Sequence, residues 1–314
     1  MAKNNISLLV PCFNASKYID SFLKHVADLG FDEVIFYNDG STDNTLELLE
    51  NSGYAFISSS VNNGSGFARN KLANSATCGY IHFHDIDDKF NPDFINLIKE
   101  PLSQSPDVIV GNADWVVEAT NEVEIQWRYN ADEANADPLA YFIEHPLGII
   151  NTVYKRESFL AAGGFNEKIK CWEDSDLHVT LAARGNKFAF TANVLAYSMR
   201  HNNGVSSNQN WCWQCRLKFL EGYLAQFPAK YTPLILIEIA RCAQVFYDAR
   251  MMNDFKRCIR ICKQNGLLPP ISNSRFINVL KKMPVPPRLA YDMIAANKKI
   301  NYIFNKHIPG SIHL

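Results

Sequence analysis

The first 60 residues alternate between short apolar runs and longer stretches with helical spacing. Apolar runs at 6–10, 33–37 and 55–58 predict three strands. A helix is predicted over 15–29, where Ile19, Phe22, Leu23 and Val26 share one face and Gly30 provides a stop. A second helix, capped by Thr42 or Asp43, is predicted to run to residue 50. Such alternation predicts a parallel sheet covered by helices, with ligands at the carboxyl ends of its strands.

The pattern continues and then changes twice along the chain. A helix over 66–76 leads into a strand at 80–84, whereas residues 107–205 are mixed, with candidate strands at 108–110, 115–118 and 124–128. From residue 210 onward the spacing is helical and is interrupted by prolines. We therefore predict an α/β domain over 1–209, with halves of 1–105 and 106–209, and a helical region over 210–314.

Charge separates the same two regions. The net charge of −1 conceals −12 over residues 1–210 and +11 over residues 211–314, so the second region is expected to face an anionic partner. With 47% hydrophobic and 20% charged residues, the composition is that of a globular protein. There is no membrane-spanning run, no secretory signal pattern and no disulfide-type spacing of the eight cysteines, and these features predict a cytoplasmic protein.

Acidic side chains are concentrated where strands are predicted to end. Asp39 follows the second strand, and Asp85 and Asp87 follow the strand at 80–84, while Glu173 and Asp174 open a later helix. Residues i and i+2 of an extended segment point the same way, so Asp85 and Asp87 could reach one site. Hard divalent cations prefer such carboxylates together with substrate phosphates, although a solvated acidic turn would show the same letters.

Six short motifs, taken together and in this order, resemble the inverting family-2-type glycosyltransferases of the nucleotide-sugar-binding (GT-A) fold. They are ISLLVPCFN from residue 6, NDGSTDNT from 38, NGSGFARN from 63, DIDD from 85, GGFNE from 163 and EDSDL from 173. The resemblance covers residues 5–205. It implies a mainly parallel α/β fold of the GT-A type, a nucleotide-sugar donor, a divalent metal (Mn²⁺ or Mg²⁺), and a saccharide or glycolipid acceptor in surface polysaccharide or glycoconjugate synthesis.

The resemblance also implies roles for particular residues. Asp174 would be the catalytic base of a single displacement that inverts the anomeric carbon, and Asp39 would recognise the base of the donor, most simply a uracil. Donor contacts would come from a further set of residues: Pro11, Phe13, Asn14, Asn63, Gly64, Arg69, Asp85 and Arg200. Asp87 and His201 would bind the metal.

The acceptor side is less patterned. Trp172, Glu173 and Asp176 are acceptor-side candidates, with Glu173 also the alternative base. Trp115, Trp127, Arg128 and His145 are weaker candidates for the same side.

The basic C-terminal region allows two interpretations. Phe255, Cys258, Ile259 and Cys262 form an apolar stripe, and the basic side chains beside it suit either an anionic membrane surface or an ordinary packed helical subdomain. A zinc site built from Cys212, Cys215, Cys258 and Cys262 is a less favoured alternative. The sequence contains no motif typical of nucleic-acid recognition, so nucleic acid is not expected to be a partner.

Two other functions compete with sugar transfer. A nucleotidyltransferase would also use metal-binding acids, but it would leave Glu173 and Asp174 without a role. A sugar- or nucleotide-binding module without turnover would not need Asp174.

Overall fold

The structure is a computed structural model that describes residues 5–200 and 208–266. Contacts divide the chain after Asn208 into two compact units, and each is treated separately below.

Within the described residues, the first unit contains nine strands in one sheet. They are β1 (Ile6–Cys12), β2 (Glu33–Asp39), β3 (Ala55–Ser59), β4 (Tyr80–Phe83), β5 (Lys89–Phe90), β6 (Val108–Val117), β7 (Val123–Trp127), β8 (Thr152–Lys155) and β9 (Phe188–Arg200). The spatial order is β3-β2-β1-β4-β8-β6-β9-β5, and β7 pairs with β6.

The sheet is parallel in its first half. β1 pairs in parallel with β2 and β4, and β2 pairs in parallel with β3, so these four strands end at one edge. Residues that follow them are thereby brought together at that edge, as the alternating pattern predicts.

The second half of the sheet is mixed, so the mainly parallel arrangement expected from the sequence holds for β1–β4 and for the β6–β9 pair but not for the other pairings. β8 runs antiparallel to both β4 and β6. β5 pairs antiparallel with β9, and β7 pairs antiparallel with β6, whereas β6 and β9 are parallel to each other. The candidate strands at 108–110 and 115–118 form one strand. Its register against β9 shifts near Gly111, where a Cβ would come within 2.3 Å of Leu195, so an irregularity bridges two pieces that look separate in the sequence.

Eight helices accompany this sheet in the part of the unit that is described. They are α1 (Ser16–Val26), α2 (Thr45–Glu50), α3 (Ser65–Ser75), α4 (Phe94–Ser103), α5 (Ala131–Ala136), α6 (Pro138–Glu144), α7 (Arg156–Ala161) and α8 (Glu173–Ala183). The apolar face of α1 packs on β1 and β2 through Ile19, Phe22 and Val26, which join Val10 and Phe36 in a buried cluster. Burial of this face keeps α1 in place more than helix propensity does.

The second unit is helical over the residues described. It contains α9 (Gln209–Gln226), a 3₁₀ turn (Ala229–Tyr231), α10 (Thr232–Asp248) and α11 (Met252–Gln264). Arg216 on α9 donates to Glu238 on α10 over 2.7 Å, and both side chains are buried. Over residues 5–200 and 208–266, no helix is both long enough and apolar enough to cross a bilayer.

Candidate active site

The loops after β1 and β2 are joined by Asn14. This residue adopts a left-handed φ of 49°, which asparagine tolerates better than most residues. Its backbone N–H donates to Ser41 Oγ (3.0 Å), and its Oδ1 accepts from the backbone N–H of Thr42 (2.8 Å). Phe13, immediately before it, leaves half of its side chain exposed. Asn14 therefore fixes the loop predicted to surround the nucleoside.

Asp39 is buried and shapes the loop that enters α3. Its two carboxylate oxygens accept from the backbone N–H groups of Asn63 (2.9 Å) and Gly64 (2.8 Å). The adjoining Gly40 has φ +69°, and a Cβ there would come within 2.6 Å of the Val61 carbonyl carbon, so only glycine fits. Each carboxylate oxygen can accept a second hydrogen bond, for example from a nucleotide base. Recognition of a base by Asp39 stays a prediction.

Arg69 on α3 lies between two acids that are distant in sequence. Nη1 donates to Glu173 Oε1 and Nη2 donates to Asp85 Oδ1, both over 2.7 Å. The Arg69 side chain is buried, and its guanidinium also lies 5.6 Å from the ring centre of Phe165. Burial opposes the charge, but Asp85 and Glu173 outweigh it and raise the pKa of Arg69. Arg69 therefore joins the loop after β4 to the start of α8.

Asn70, the next residue of α3, holds the turn before α8. Its Nδ2 donates to the carbonyl of Phe165 (2.9 Å), and its Oδ1 accepts from the N–H of Phe165 (2.8 Å). Gly164 in the same turn has φ +68°, and a Cβ there would lie 2.4 Å from Asn70 Oδ1. The sequence alone assigns no role to Asn70, although this residue ends the NGSGFARN motif that begins at residue 63.

Asp174 lies in the first turn of α8, beside this arginine-centred cluster. Its Oδ1 accepts from the backbone N–H of Ser175 over 2.7 Å. Burial, followed by the charge of Glu173, raises the pKa of Asp174 to about 7, although Arg69 and the Ser175 N–H act in the opposite direction. A carboxylate with a pKa near neutrality is well suited to accept a proton at physiological pH.

Glu173 is less free to act as a base. Its Oε1 accepts from Arg69 (2.7 Å) and from Ser65 Oγ (2.9 Å), and the side chain is buried. Trp172 before it is left-handed with φ 68°, and Asp176 after it is buried. Between the two candidate bases, the geometry favours Asp174.

The acids after β4 crowd together in a tight turn. The N–H of Asp88 donates to the carbonyl of Asp85 (3.0 Å), and Asp88 Oδ1 accepts from the N–H of Met199 on β9 (2.7 Å). Burial and the charges of Asp85 and Asp87 raise the pKa of Asp88 well above its usual value. Asp87 beside it is half-buried. Such crowding of like charge creates a place where a cation would be stabilised.

A sequence profile described as "Glycosyl transferase family 2" matches residues 7–161. Residues 7–161 belong to glycosyl transferase family 2. The predicted family is thereby confirmed.

Curated proteins similar in sequence include enzymes of polysaccharide synthesis. Chondroitin synthase of Pasteurella multocida (strain Pm70) is 31% identical over 212 residues, which are 64% of this chain and 21% of that protein. The chain spans 21–37% of the length of the first curated relatives it matches.

Two solved structures share the fold. The mannosyltransferase PcManGT from Pyrobaculum calidifontis, in complex with GDP-Man and Mn²⁺, has a TM-score of 0.56 at 14% identity and covers 94% of this chain and 87% of that chain. S. aureus TarS 1-349 in complex with UDP-GlcNAc has a TM-score of 0.55 at 15% identity, with 83% and 92% covered. The predicted α/β fold of the GT-A type, with its helical C-terminal region, is confirmed.

The family 2 match ends before α8. Asp174, Glu173 and Trp172 lie beyond residue 161, so their roles depend on the geometry of this chain rather than on the match. Arg69 connects the matched segment to α8. It pairs with Asp85 inside residues 7–161 and with Glu173 beyond them.

Of the two predicted metal ligands, Asp87 and His201, the structure describes only Asp87. His201 lies outside the described residues, and among those described no group of three or more His, Cys, Asp or Glu side chains could hold a metal. Asp87 offers a half-buried carboxylate in a crowded acidic turn, which fits a hard cation in kind. Cys212, Cys215, Cys258 and Cys262 are all described; they form no disulfide, and among the described residues they do not make a group of three or more ligands that could hold a metal.

Arg200 and the weaker acceptor-side candidates lie around the β6–β7 hairpin. The guanidinium of Arg200 is 4.1 Å from the ring centre of Trp115, whose ring is 4.7 Å from that of Trp127. Arg128 pairs with Asp114 over 2.6 Å. His145 stacks on Tyr141 of α6 at 4.3 Å. Binding of the donor diphosphate by Arg200 would compete with the stacking of its guanidinium on Trp115. The diphosphate contact stays a prediction.

Proposed function

We propose that this chain is an inverting glycosyltransferase that moves a sugar from a nucleoside-diphosphate sugar to an acceptor hydroxyl. The observation that carries the proposal is the position of Asp174. Its carboxylate has a pKa near 7 and lies beside the Asp85–Arg69–Glu173 cluster, which connects the donor-side loops to α8.

Asp174 acts as the base in this scheme. The acceptor hydroxyl attacks the anomeric carbon on the face opposite the departing diphosphate, and Asp174 takes the hydroxyl proton as the new bond forms. General base catalysis of this kind contributes about 10²–10⁴-fold. Arg69 neutralises Glu173 and Asp85, so that Asp174 can ionise in an otherwise acidic surrounding.

The donor is a UDP-sugar in this proposal. Support comes from the buried Asp39 beside the nucleoside loop, and from TarS, which was solved in complex with UDP-GlcNAc. PcManGT was solved with GDP-Man, so the fold alone accommodates two bases. Pro11, Phe13, Asn14 and Asn63 line the donor side.

Asp87, together with His201, would hold Mn²⁺ or Mg²⁺. When bound, the metal would neutralise charge that develops on the leaving diphosphate. Asp85 has one oxygen on Arg69 and a side chain that is 36% exposed, so it faces the donor sugar or ribose.

The acceptor is a saccharide or a glycolipid in surface polysaccharide or glycoconjugate synthesis. Support comes from relatives named chondroitin synthase and poly-β-1,6-N-acetyl-D-glucosamine synthase. Trp172 and Asp176, which flank Asp174 along the chain, are the acceptor-side residues of this proposal.

Nucleotide titration tests donor and metal together. Calorimetry with UDP, GDP and dTDP, each with and without Mn²⁺, is expected to show manganese-dependent binding of UDP alone. Asp87→Ala should abolish the manganese-dependent gain in affinity, because it removes a carboxylate ligand of the cation. Asp20→Ala, an exposed acid on α1, is the control and should behave as wild type.

Each outcome separates one part of the proposal. Preference for GDP or dTDP would keep the enzyme class but overturn the uridine assignment. Unchanged manganese dependence in Asp87→Ala would remove Asp87 from the metal site. Absence of binding to any of the three would overturn the nucleotide-sugar donor and leave a sugar-binding module without turnover as the alternative.

The basic face of α11 is proposed to contact an anionic membrane surface through charge alone. Phe255, Cys258, Ile259 and Cys262 are buried within the helical unit, so this stripe is not available for insertion. Lys256, Arg260 and Lys263 remain exposed, whereas Arg257 pairs with Glu221. Lys281-Lys282 and Lys298-Lys299 lie outside the described residues.

Vesicle binding tests this contact. Changing Lys256, Arg260 and Lys263 to glutamate is expected to weaken sedimentation with phosphatidylserine vesicles by about 100-fold or more, because each basic residue contributes about 1 kcal/mol. The control changes Lys24, Lys99 and Lys187, exposed lysines of the first unit, to glutamate. Equal losses in the two triple variants would indicate a general charge effect and would count against a membrane-facing α11.

A further inference from the structure

A chain of polar side chains lies buried behind the first turn of α8. His178 is one helical turn after Asp174, and its Nε2 is 2.7 Å from Tyr154 Oη on β8. Tyr154 Oη also lies 2.8 Å from Thr152 Oγ1. All three residues are fully buried, and their polar groups satisfy one another by hydrogen bonds, as buried polar groups normally do.

Burial disfavours the charged forms of both His178 and Tyr154. Burial lowers the pKa of His178 to about 3, so its ring is neutral and one ring nitrogen is an acceptor. Burial also raises the pKa of Tyr154, so its hydroxyl keeps its proton. Tyr154 can therefore donate to His178 Nε2. Thr152 Oγ1 lies 2.8 Å from both Tyr154 Oη and the Ile149 carbonyl, so these hydrogen bonds connect β8 and the loop before it to α8.

The tyrosine ring is fixed by its neighbours. It stacks on His178 at 5.6 Å with an interplanar angle of 22°, and it contacts Phe83 and Phe159 at 5.9 and 5.8 Å. Phe83 is the last residue of β4, two positions before Asp85. The hydroxyl of Tyr154 is thus held at a fixed distance from both β4 and α8.

We propose that Thr152, Tyr154 and His178 are positioning residues that hold the first turn of α8 so that the Asp174 carboxylate stays at the reacting centre. This inference rests on the proposed function, in which Asp174 is the base. None of the three side chains needs to touch substrate. Loss of these hydrogen bonds would let the first turn of α8 loosen and become more hydrated.

The direction of the expected pH effect follows from the groups that face Asp174. Glu173 on its own helix and Asp85 after β4 raise its pKa, and Arg69 on α3 lowers it. Burial, together with the negative charge of Asp174, raises the pKa of Tyr129 and of Tyr154, so both hydroxyls keep their protons. Burial is the largest contribution to the raised value, so a looser and wetter turn lowers the pKa of Asp174.

Tyr154→Phe is the direct test, because it removes only the hydroxyl and keeps the ring contacts. In the full chain, kcat for sugar transfer should fall about tenfold, which is the scale expected of second-layer hydrogen bonds. UDP affinity and donor KM should change less than twofold. The midpoint of the acidic limb of the pH–rate profile should move to lower pH.

Two further variants keep the test decisive if Tyr154→Phe folds poorly. His178→Leu should reproduce the loss, and His178→Gln should restore part of it, since the glutamine amide can accept from Tyr154. Tyr80→Phe is the matched control, because Tyr80, at the start of β4, donates its hydroxyl to the Pro106 carbonyl (3.0 Å) rather than to Thr152, Tyr154 or His178.

Unchanged kcat and midpoint in Tyr154→Phe, or a lower kcat with an unmoved midpoint, would overturn the positioning role. Failure of the proposed function looks different, because then Asp174→Asn itself would retain activity. If Asp174→Asn is inactive and Tyr154→Phe is normal, only the positioning inference fails.

Discussion

Asp174→Asn is expected to lower the rate of sugar transfer by about 10²–10⁴-fold, the range by which a positioned general base accelerates a reaction. The asparagine amide has nearly the size of the carboxylate but cannot accept the acceptor's proton. Donor and UDP affinities should stay within about twofold, since the nucleoside loops are held by Asn14 and Asp39. The measurement is a transfer assay combined with calorimetry on the same preparation.

The pH profile provides a second readout for Asp174. A base must be ionised to act, so wild-type activity should rise as pH increases through about 7, where burial has placed the pKa of this carboxyl. In Asp174→Asn this rise should disappear from the residual activity. Asp132→Asn, an exposed acid on α5, is the matched control and should keep both rate and profile.

Glu173→Gln distinguishes the alternative base. If Asp174→Asn retained transfer while Glu173→Gln lost it and kept its fold, the base would be Glu173. The contacts of Glu173 with Arg69 and Ser65 argue for the opposite result, because they already engage its oxygen in the absence of substrate.

Local pattern was sufficient for the parallel half of the fold. The strands at 6–10, 33–37 and 55–58 and the helix around Ile19 and Phe22 were predictable because apolar spacing and turn residues determine such elements directly. The mixed half was less predictable. β8 enters between β4 and β6, and no periodicity within 152–155 indicates which neighbours a four-residue strand will choose.

The site shows the same division between local and distant information. Asp39 and Asp87 could be placed near the ligand edge because each follows a strand that ends there. Arg69 was predicted only as a donor contact, and its pairing with Glu173, 104 positions along the chain, was not foreseen. That pairing depends on how the turn around Phe165 packs against α3, and on Asn70, which holds the turn.

Arg69→Met is expected to destabilise the fold by about 3–5 kcal/mol, the scale seen when one partner of a buried ion pair is removed. Methionine preserves much of the side-chain volume but leaves Glu173 and the partly buried Asp85 without their cation. Denaturant unfolding measures the loss. Arg156→Met is the control, because within residues 5–200 and 208–266 the Arg156 guanidinium donates to the carbonyls of Ala73 and Asn74 and forms no ion pair with an acid; its effect should be clearly smaller.

A double-mutant cycle assigns this cost to the charge. Arg69→Met combined with Glu173→Gln should recover part of the lost stability, because the double variant buries one unpaired carboxylate fewer. Full additivity of the two single changes would show that Arg69 stabilises by packing on Phe165 rather than by pairing. Arg69→Lys should recover less than the charge alone suggests, because a single ammonium cannot reproduce the two-armed contact with Asp85 and Glu173.

Arg69→Met also predicts a shift in the pH profile, with a sign opposite to that of Tyr154→Phe. Arg69 lowers the pKa of Asp174, so its removal should raise that pKa above 7 and move the acidic limb to higher pH. A looser α8 turn instead hydrates Asp174 and moves the limb to lower pH. The two variants therefore separate electrostatic control of the base by Arg69 from mechanical positioning by Tyr154 and His178, and shifts of the same sign would contradict this division of roles.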